Sequence, residues 1–271
     1  MEVHPPEHPI FTWKQFFIHM TTVCLGLLIA LGLEQSVEAL HRHHQRHQLE
    51  ADLRAEGIRN LHTAIIAMES SDWMARWHSQ QAQELDRAAA QGRTPAYIQS
   101  PPNRPPHFGR PSDAVWAVAQ SSATLNLLPR SEAERYAHPY FDVHIASEYL
   151  QRLNELGQER EELLDAAAVD PPTGPLAQHM NATYDLSRLS KEQLTRFREI
   201  TGDLIVAARS EASYSRITYA LTWGTLNGYS DDENTRRRAE IDAAYSHGGT
   251  AELLKKFPIP DENPASREAV N

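Results

Sequence analysis

Residues Phe16 to Leu33 read FFIHMTTVCLGLLIALGL, eighteen positions without a formal charge. One helix of about 20 apolar residues, with roughly 17–25 tolerated, crosses the hydrocarbon core of a bilayer. The run therefore reads as a transmembrane anchor. Trp13 and Lys14 stand just ahead of it, where an aromatic ring and a cation meet the membrane–water interface. A cleavable leader is the competing reading, with Val37-Glu38-Ala39 as its small-residue cleavage site. Such a leader has a basic start and an apolar stretch of roughly 7–15 residues. Here Glu2 and Glu7 precede the run with only Lys14 beside them, and the run is longer. A globular core rarely hides so long a charge-free helix. The expectation is an uncleaved anchor over residues 15–34, behind a tail (residues 1–14) that Pro5, Pro6 and Pro9 make extended.

Within the span, Gly26 and Ala30 form a small-xxx-small pair that lets two helices approach closely. His19, Thr21 and Thr22 read as interhelical hydrogen-bonding or hydrated positions rather than a proton path. Orientation rests on little. Lys14 precedes the span and Arg42, Arg46 and Arg54 follow it, which leans towards a cytoplasmic C-terminal domain. An N-terminal anchor is also a way to export a domain, so the side is left open.

Nothing after the span stops a helix. Glu34 to Ala90 holds no proline and one glycine, Gly57. At about 1.5 Å per residue, a continuous helix from Gln15 to Ala90 would reach roughly 110 Å. A bend or break near Gly57 is expected instead. Residues 35–91 carry a stripe with alternating spacings of three and four: Val37, Leu40, His44, His47, Ala51, Ile58, Leu61, Ile65 and Met68. This is a heptad-like seam of the kind that pairs helices. Arg54 interrupts it. Trp73 and Trp77, one turn apart, read as core packing.

The remaining joints are set by proline. Residues 92–111, GRTPAYIQSPPNRPPHFGRP, hold six prolines and two glycines and read as a crossover loop without regular structure. A bundle follows over residues 112–257. Ser112 is expected to cap a helix through Leu127 with Trp116, Ala119, Ala123 and Leu127 on one face. Ser131-Glu132-Ala133-Glu134 reads as a capping box opening a helix to Leu164 or Ala168, disturbed by Pro139. Its two apolar stripes are Tyr136, Tyr140, Val143 and Leu150, and Phe141, Ile145, Leu153, Leu156 and Leu163. Pro171 to Gly174 is a turn, and Met180 to Ser190 is ambiguous. Ser190 with Gln193 opens a helix to about Leu226. Ser230 with Glu233 opens another that ends near Gly248-Gly249, with a further turn or two over Ala251–Phe257. Residues 258–271 read as a frayed polar tail. The fold expected is all-α: one N-terminal transmembrane helix continuing into a long helix and a bundle of about four or five helices.

Composition narrows function by exclusion. A net charge of −10 lacks the clustered Lys and Arg that phosphate contacts need, so nucleic acid is not an expected partner. Cys24 is the one cysteine and lies inside the span, which rules out an intramolecular disulfide and a cysteine-based zinc site. There is no His-Glu-x-x-His, no glycine-rich phosphate loop and no Gly-x-Ser-x-Gly elbow.

The conspicuous chemistry is His41-Arg42-His43-His44-Gln45-Arg46-His47. On a helix, His43 and His47 lie one turn apart with His44 alongside, a spacing at which imidazoles can hold a transition metal. Glu38 and His41 give a single Glu-x-x-His, where di-iron bundles use two with two more glutamates. The plainer reading is a hydrated juxtamembrane helix with Arg42 and Arg46 at lipid headgroups. A third is a pH-sensitive seam, since protonated His44 and His47 would repel a partner helix. Glu134 with His138, and His144 with Glu148, read as solvated faces, and Tyr136, Tyr140 and Tyr149 as core. No cofactor is expected beyond a transition metal at these histidines, and no catalytic residue is assigned.

Several segments resemble a recurring group of uncharacterised bacterial single-pass membrane proteins. They are His8-Pro9, Phe11-Thr12-Trp13-Lys14-Gln15-Phe16, Gly26-Leu27-Leu28-Ile29-Ala30-Leu31 and Leu33-Glu34. In that group a Trp-Lys-Gln-Phe-like start leads through a short anchor into a helical domain. The Leu53…Glu56…Asn60 spacing and the Trp116…Ala119 segment before a helix break are similar too. The resemblance is carried mainly by residues 1–60. It implies a bacterial inner-membrane protein and brings no activity or site residues. The leading expectation is a non-enzymatic scaffold, partnered by the bilayer and by a second copy or another membrane protein. A membrane-tethered sensor of a ligand or of pH is the alternative, and a His/Glu metal-dependent enzyme is the third.

Overall fold

The computed structural model describes residues 13–93, 98–99, 109–169 and 183–261. The expected extended tail over Met1–Thr12, most of the proline-rich loop, the Pro171–Gly174 turn and the end of the C-terminal tail lie outside the described residues. The chain divides into two compact units, Met1–Glu50 and Ala51–Asn271.

The first unit is the upper part of α1 (Trp13–Ala90). It contains the helix long and apolar enough to cross a membrane. Its large apolar side chains from Phe16 to Leu33 are all exposed, as lipid-facing residues are. Trp13 packs edge-on against Phe16 at 6.1 Å. The Thr22 hydroxyl donates to Ile18 O at 2.9 Å, so it is satisfied within its own helix rather than across to another.

The second unit is a helical bundle: the remainder of α1, then α2 (Ala114–Ser121), α3 (Arg130–Ala167), α4 (Lys191–Leu226) and α5 (Asp231–Lys256). Its core forms three successive layers. Leu61 and Met68 of α1 meet Tyr219 and Trp223 of α4 and Ile241 of α5. Ala75 meets Leu153 and Leu156 of α3 with Ile200 and Leu204 of α4. Leu85 meets Leu164 and Phe197. As α1 advances, its partners on α4 run backwards and those on α3 forwards. So α1 lies antiparallel to α4 and parallel to α3.

Several local expectations change. α1 runs unbroken through Gly57, where a Cβ would stand 3.2 Å from Leu226, so this glycine serves close packing against the end of α4. α2 stops at Ser121 rather than Leu127. Ala123 takes a left-handed φ of 57°, and Thr124–Leu127 form a separate 3₁₀ turn. α3 starts at Arg130 after Pro129, so Ser131 is inside the helix and caps nothing, and the helix continues through Pro139. Phe141, placed on an apolar stripe, is 67% exposed. The α4 capping box is formed, with Gln193 N donating to Ser190 Oγ at 3.2 Å and Ser190 N to Gln193 Oε1 at 2.9 Å. Ser230 precedes α5 without a side-chain cap bond, and α5 is interrupted at Gly248 and Gly249. The proline-rich stretch contributes a two-residue strand, β1 (Ile98–Gln99), antiparallel to β2 (Thr183–Tyr184) with Ile98 opposite Tyr184. The start of the C-terminal tail is held: Trp223 Nε1 donates to Pro258 O at 2.9 Å and Arg54 Nη2 to Asp261 O at 3.1 Å.

Candidate functional site

In the first unit the seam positions Val37 and Leu40 are 67% and 69% exposed. His41, His43, His44 and His47 are exposed too. The histidines split by side-chain direction. His43 and His47 come together, with Nε2 atoms 3.1 Å apart and ring centroids 4.3 Å apart. His41 turns to Gln45, whose amide nitrogen is 3.0 Å from its Nε2. Glu38 pairs with Arg42 at 3.9 Å instead of joining His41. Glu50 closes the group, one carboxylate oxygen 2.5 Å from Arg46 Nε and the other 3.5 Å from His47 Nδ1. Among the described residues, no group of three or more His, Cys, Asp or Glu is placed to hold a metal ion.

In the second unit Ile58, Leu61 and Met68 are buried in the bundle and Ile65 is half-buried. Arg54, which broke the stripe, donates to Leu226 O at 3.1 Å and caps the end of α4.

Three buried polar groups in the bundle stand out. Glu56 of α1 has no exposure and works as a remote cap for α2. Its Oε1 accepts from Val115 N at 3.0 Å and from the Ser112 hydroxyl at 2.7 Å, and its Oε2 from the Tyr140 hydroxyl at 2.7 Å. Asn60, one turn on, clamps the Ser112 residue from both sides. It donates to Ser112 O at 2.7 Å and accepts from Ser112 N at 2.8 Å. Tyr140 stacks on Trp116 at 5.0 Å. Burial, and then the Glu56 carboxylate, push the Tyr140 phenol far above its ordinary value. It therefore stays a donor. A small apolar cleft beside this clamp, lined by Leu53, Tyr136, Tyr140, Val143 and Thr222 among others, has an interior of about 10 Å³, room for about one water.

Arg160 of α3 is the second group. Its guanidinium lies 4.9 Å from the centroids of both Trp77 and Phe197, and it donates to Gln81 Oε1 at 2.6 Å. Burial lowers it to about 10, and its Nε has no partner. His78 beside it is held neutral: burial, then the Arg160 charge, push it down to about 3. The third is Glu211 of α4, 2% exposed, which takes a bond from the Ser215 hydroxyl at 2.9 Å and leaves Oε2 without a partner. Burial pushes its carboxyl up to about 7.

Of the side-chain pairs read from spacing, His144 and Glu148 lie 3.4 Å apart on the surface, while Glu134 pairs with Arg130. Tyr149 stacks on Tyr214 at 4.9 Å. Motif and spacing alone give no role to Arg160, His78 or Glu211. A usable signal was there. Arg160 falls between Leu153, Leu156, Leu164 and Ala167 at helical spacing, and Glu211 falls among Ala207, Ala208, Ala212 and Ser215. A charged residue on an apolar stripe is the mark of a buried polar group.

The fold and these sites define a class: a helical bundle preceded, among the described residues, by one helix long and apolar enough to cross a membrane. Comparison with protein-family models, with curated proteins and with solved structures finds no match.

Proposed function

We propose that this chain is a single-pass scaffold of the bacterial inner membrane that associates with a second copy of itself through the helix just beyond the span. One observation carries the reading. Val37, Leu40, His44 and His47 share one face of α1, and all four side chains are exposed. Apolar residues at three-and-four spacing are what a partner helix packs against. Gly26 supports it within the span, since nothing lies within 4 Å of where its Cβ would be. The bacterial assignment rests on the resemblance of the N-terminal block.

Disulfide cross-linking in native membranes tests this. In a Cys24→Ser background, Leu40→Cys is expected to give covalent dimers and Arg42→Cys, on the opposite face, none. Equal cross-linking at both positions, or none at either, overturns it.

A pH-responsive sensor is the second reading, favoured by the Glu211 carboxyl, which titrates near 7 inside the bundle. Under it, cross-linking at Leu40→Cys changes between pH 6 and 8 and Glu211→Gln abolishes the change. An unaltered yield across that range excludes it.

A further inference from the structure

The His43–His47 contact has the dimensions of a chelate. Two nitrogens on one zinc-like ion sit at about 2.0–2.1 Å from it, and bond angles of roughly 90–109° place them about 2.8–3.4 Å apart. The observed Nε2 separation of 3.1 Å lies inside that interval. The helix supplies this bite, because residues four apart stack on one face. That contact is a hydrogen bond, with the proton on one Nε2; an ion takes the proton's place, leaving both Nε2 lone pairs free and each ring proton on Nδ1. Glu50 favours that tautomer at His47, with its Oε2 3.5 Å from Nδ1 while Arg46 fixes its other oxygen. A carboxylate behind a ligating imidazole orients the ring and raises its basicity. Both rings are exposed, so an ion reaches them without opening the fold.

We propose that His43 and His47 bind one divalent transition-metal ion of the imidazole-preferring kind (Zn²⁺, Ni²⁺ or Cu²⁺) through their Nε2 atoms. Glu50 is the orienting carboxylate and water fills the remaining positions. Ca²⁺ and Mg²⁺, which take oxygen ligands, are not bound there. The chelate lies within one helix and goes beyond the scaffold reading: its ligands come from one copy, with His47 also on the seam face of that reading.

The test is calorimetric titration of the untagged full chain, stripped of metal and held in detergent micelles, with Ni²⁺ alone and then Zn²⁺ alone. Saturable binding is expected, absent with Mg²⁺. His43→Ala and His47→Ala should each weaken it at least about tenfold, and Glu50→Gln by about tenfold. His41→Ala should leave it unchanged. The histidine side chains are exposed and Glu50 is half-buried, and unchanged circular dichroism verifies the fold of each variant. No saturable binding, or binding that survives both His43→Ala and His47→Ala, overturns the proposal.

Discussion

The two parts of α1 are built from one unbroken helix and solve opposite problems. From Phe16 to Leu33 its apolar side chains point outward all round. From Leu53 onward most of them lie on faces buried against α3, α4 and α5, with Ile66 exposed. The first pattern suits lipid, which rewards apolar surface on every side. The second suits water, which permits it only where another helix covers it. The passage from Glu34 to Gln45 belongs to neither, having a stripe whose side chains are exposed.

The largest effect should come from cutting into the buried part. Leu61→Ala and Met68→Ala each remove a fully buried side chain and should cost about 2–5 kcal/mol in urea titrations followed by tryptophan fluorescence. Leu40→Ala, one stripe position in the exposed part, should leave the urea midpoint where it was. A comparable loss at Leu40 would mean that the bundle's stability depends on the juxtamembrane face and on whatever packs against it.

The buried ionisable groups give the bundle two pH limbs of opposite sign. His78 is neutral in the fold down to about 3, against an ordinary value of 6.5. Below pH 6.5 the unfolded chain takes up a proton that the fold refuses, so stability is lost as pH falls. The loss is about 3 kcal/mol between pH 6.5 and 4.5. Glu211 does the reverse. Its carboxyl titrates at about 7 in the fold against an ordinary 4.5. Between those values the unfolded chain releases a proton that the fold keeps. Stability is then lost as pH rises, again by about 3 kcal/mol across the window. His78→Gln should flatten the acid limb and Glu211→Gln the limb towards neutrality, read as the pH dependence of the urea midpoint. If neither variant changes the profile, these side chains are hydrated.

A smaller effect is expected at the clamp. Glu56→Gln places amide hydrogens where Oε1 or Oε2 accepts bonds, and should cost about 1–3 kcal/mol. Hydrogen exchange at Val115 N should rise before exchange in α4 does. Smallest is Arg54→Met, which frees the Leu226 carbonyl and should cost about 1 kcal/mol.

The sequence made the helices legible because proline, glycine and serine mark their ends. The Ser190–Gln193 box and the Gly248–Gly249 break sit where local chemistry alone puts them. Local reading failed where a distant residue decides. Ser131 has the look of a cap, yet Pro129 already fixes a helix entry one residue ahead of it. The start of α2 is satisfied by Glu56, more than fifty residues earlier, and no window around Ser112 contains it. The histidine cluster was visible as composition. Which two of its rings converge depends on side-chain directions that spacing leaves open.

The clamp on Ser112 has a practical corollary. Ile98 and Gln99 pair with β2, and Ser112 is gripped by Asn60. Residues 98–99 and Ser112 are thus each held by bonds from elsewhere in the chain. Chain added between two fixed points is thermodynamically cheap: each doubling of a loop's length costs only about 0.6 kcal/mol. A short reporter spliced after residue 104 should leave the urea midpoint nearly unchanged. Its accessibility in sealed vesicles would then reveal which face of the membrane the bundle occupies.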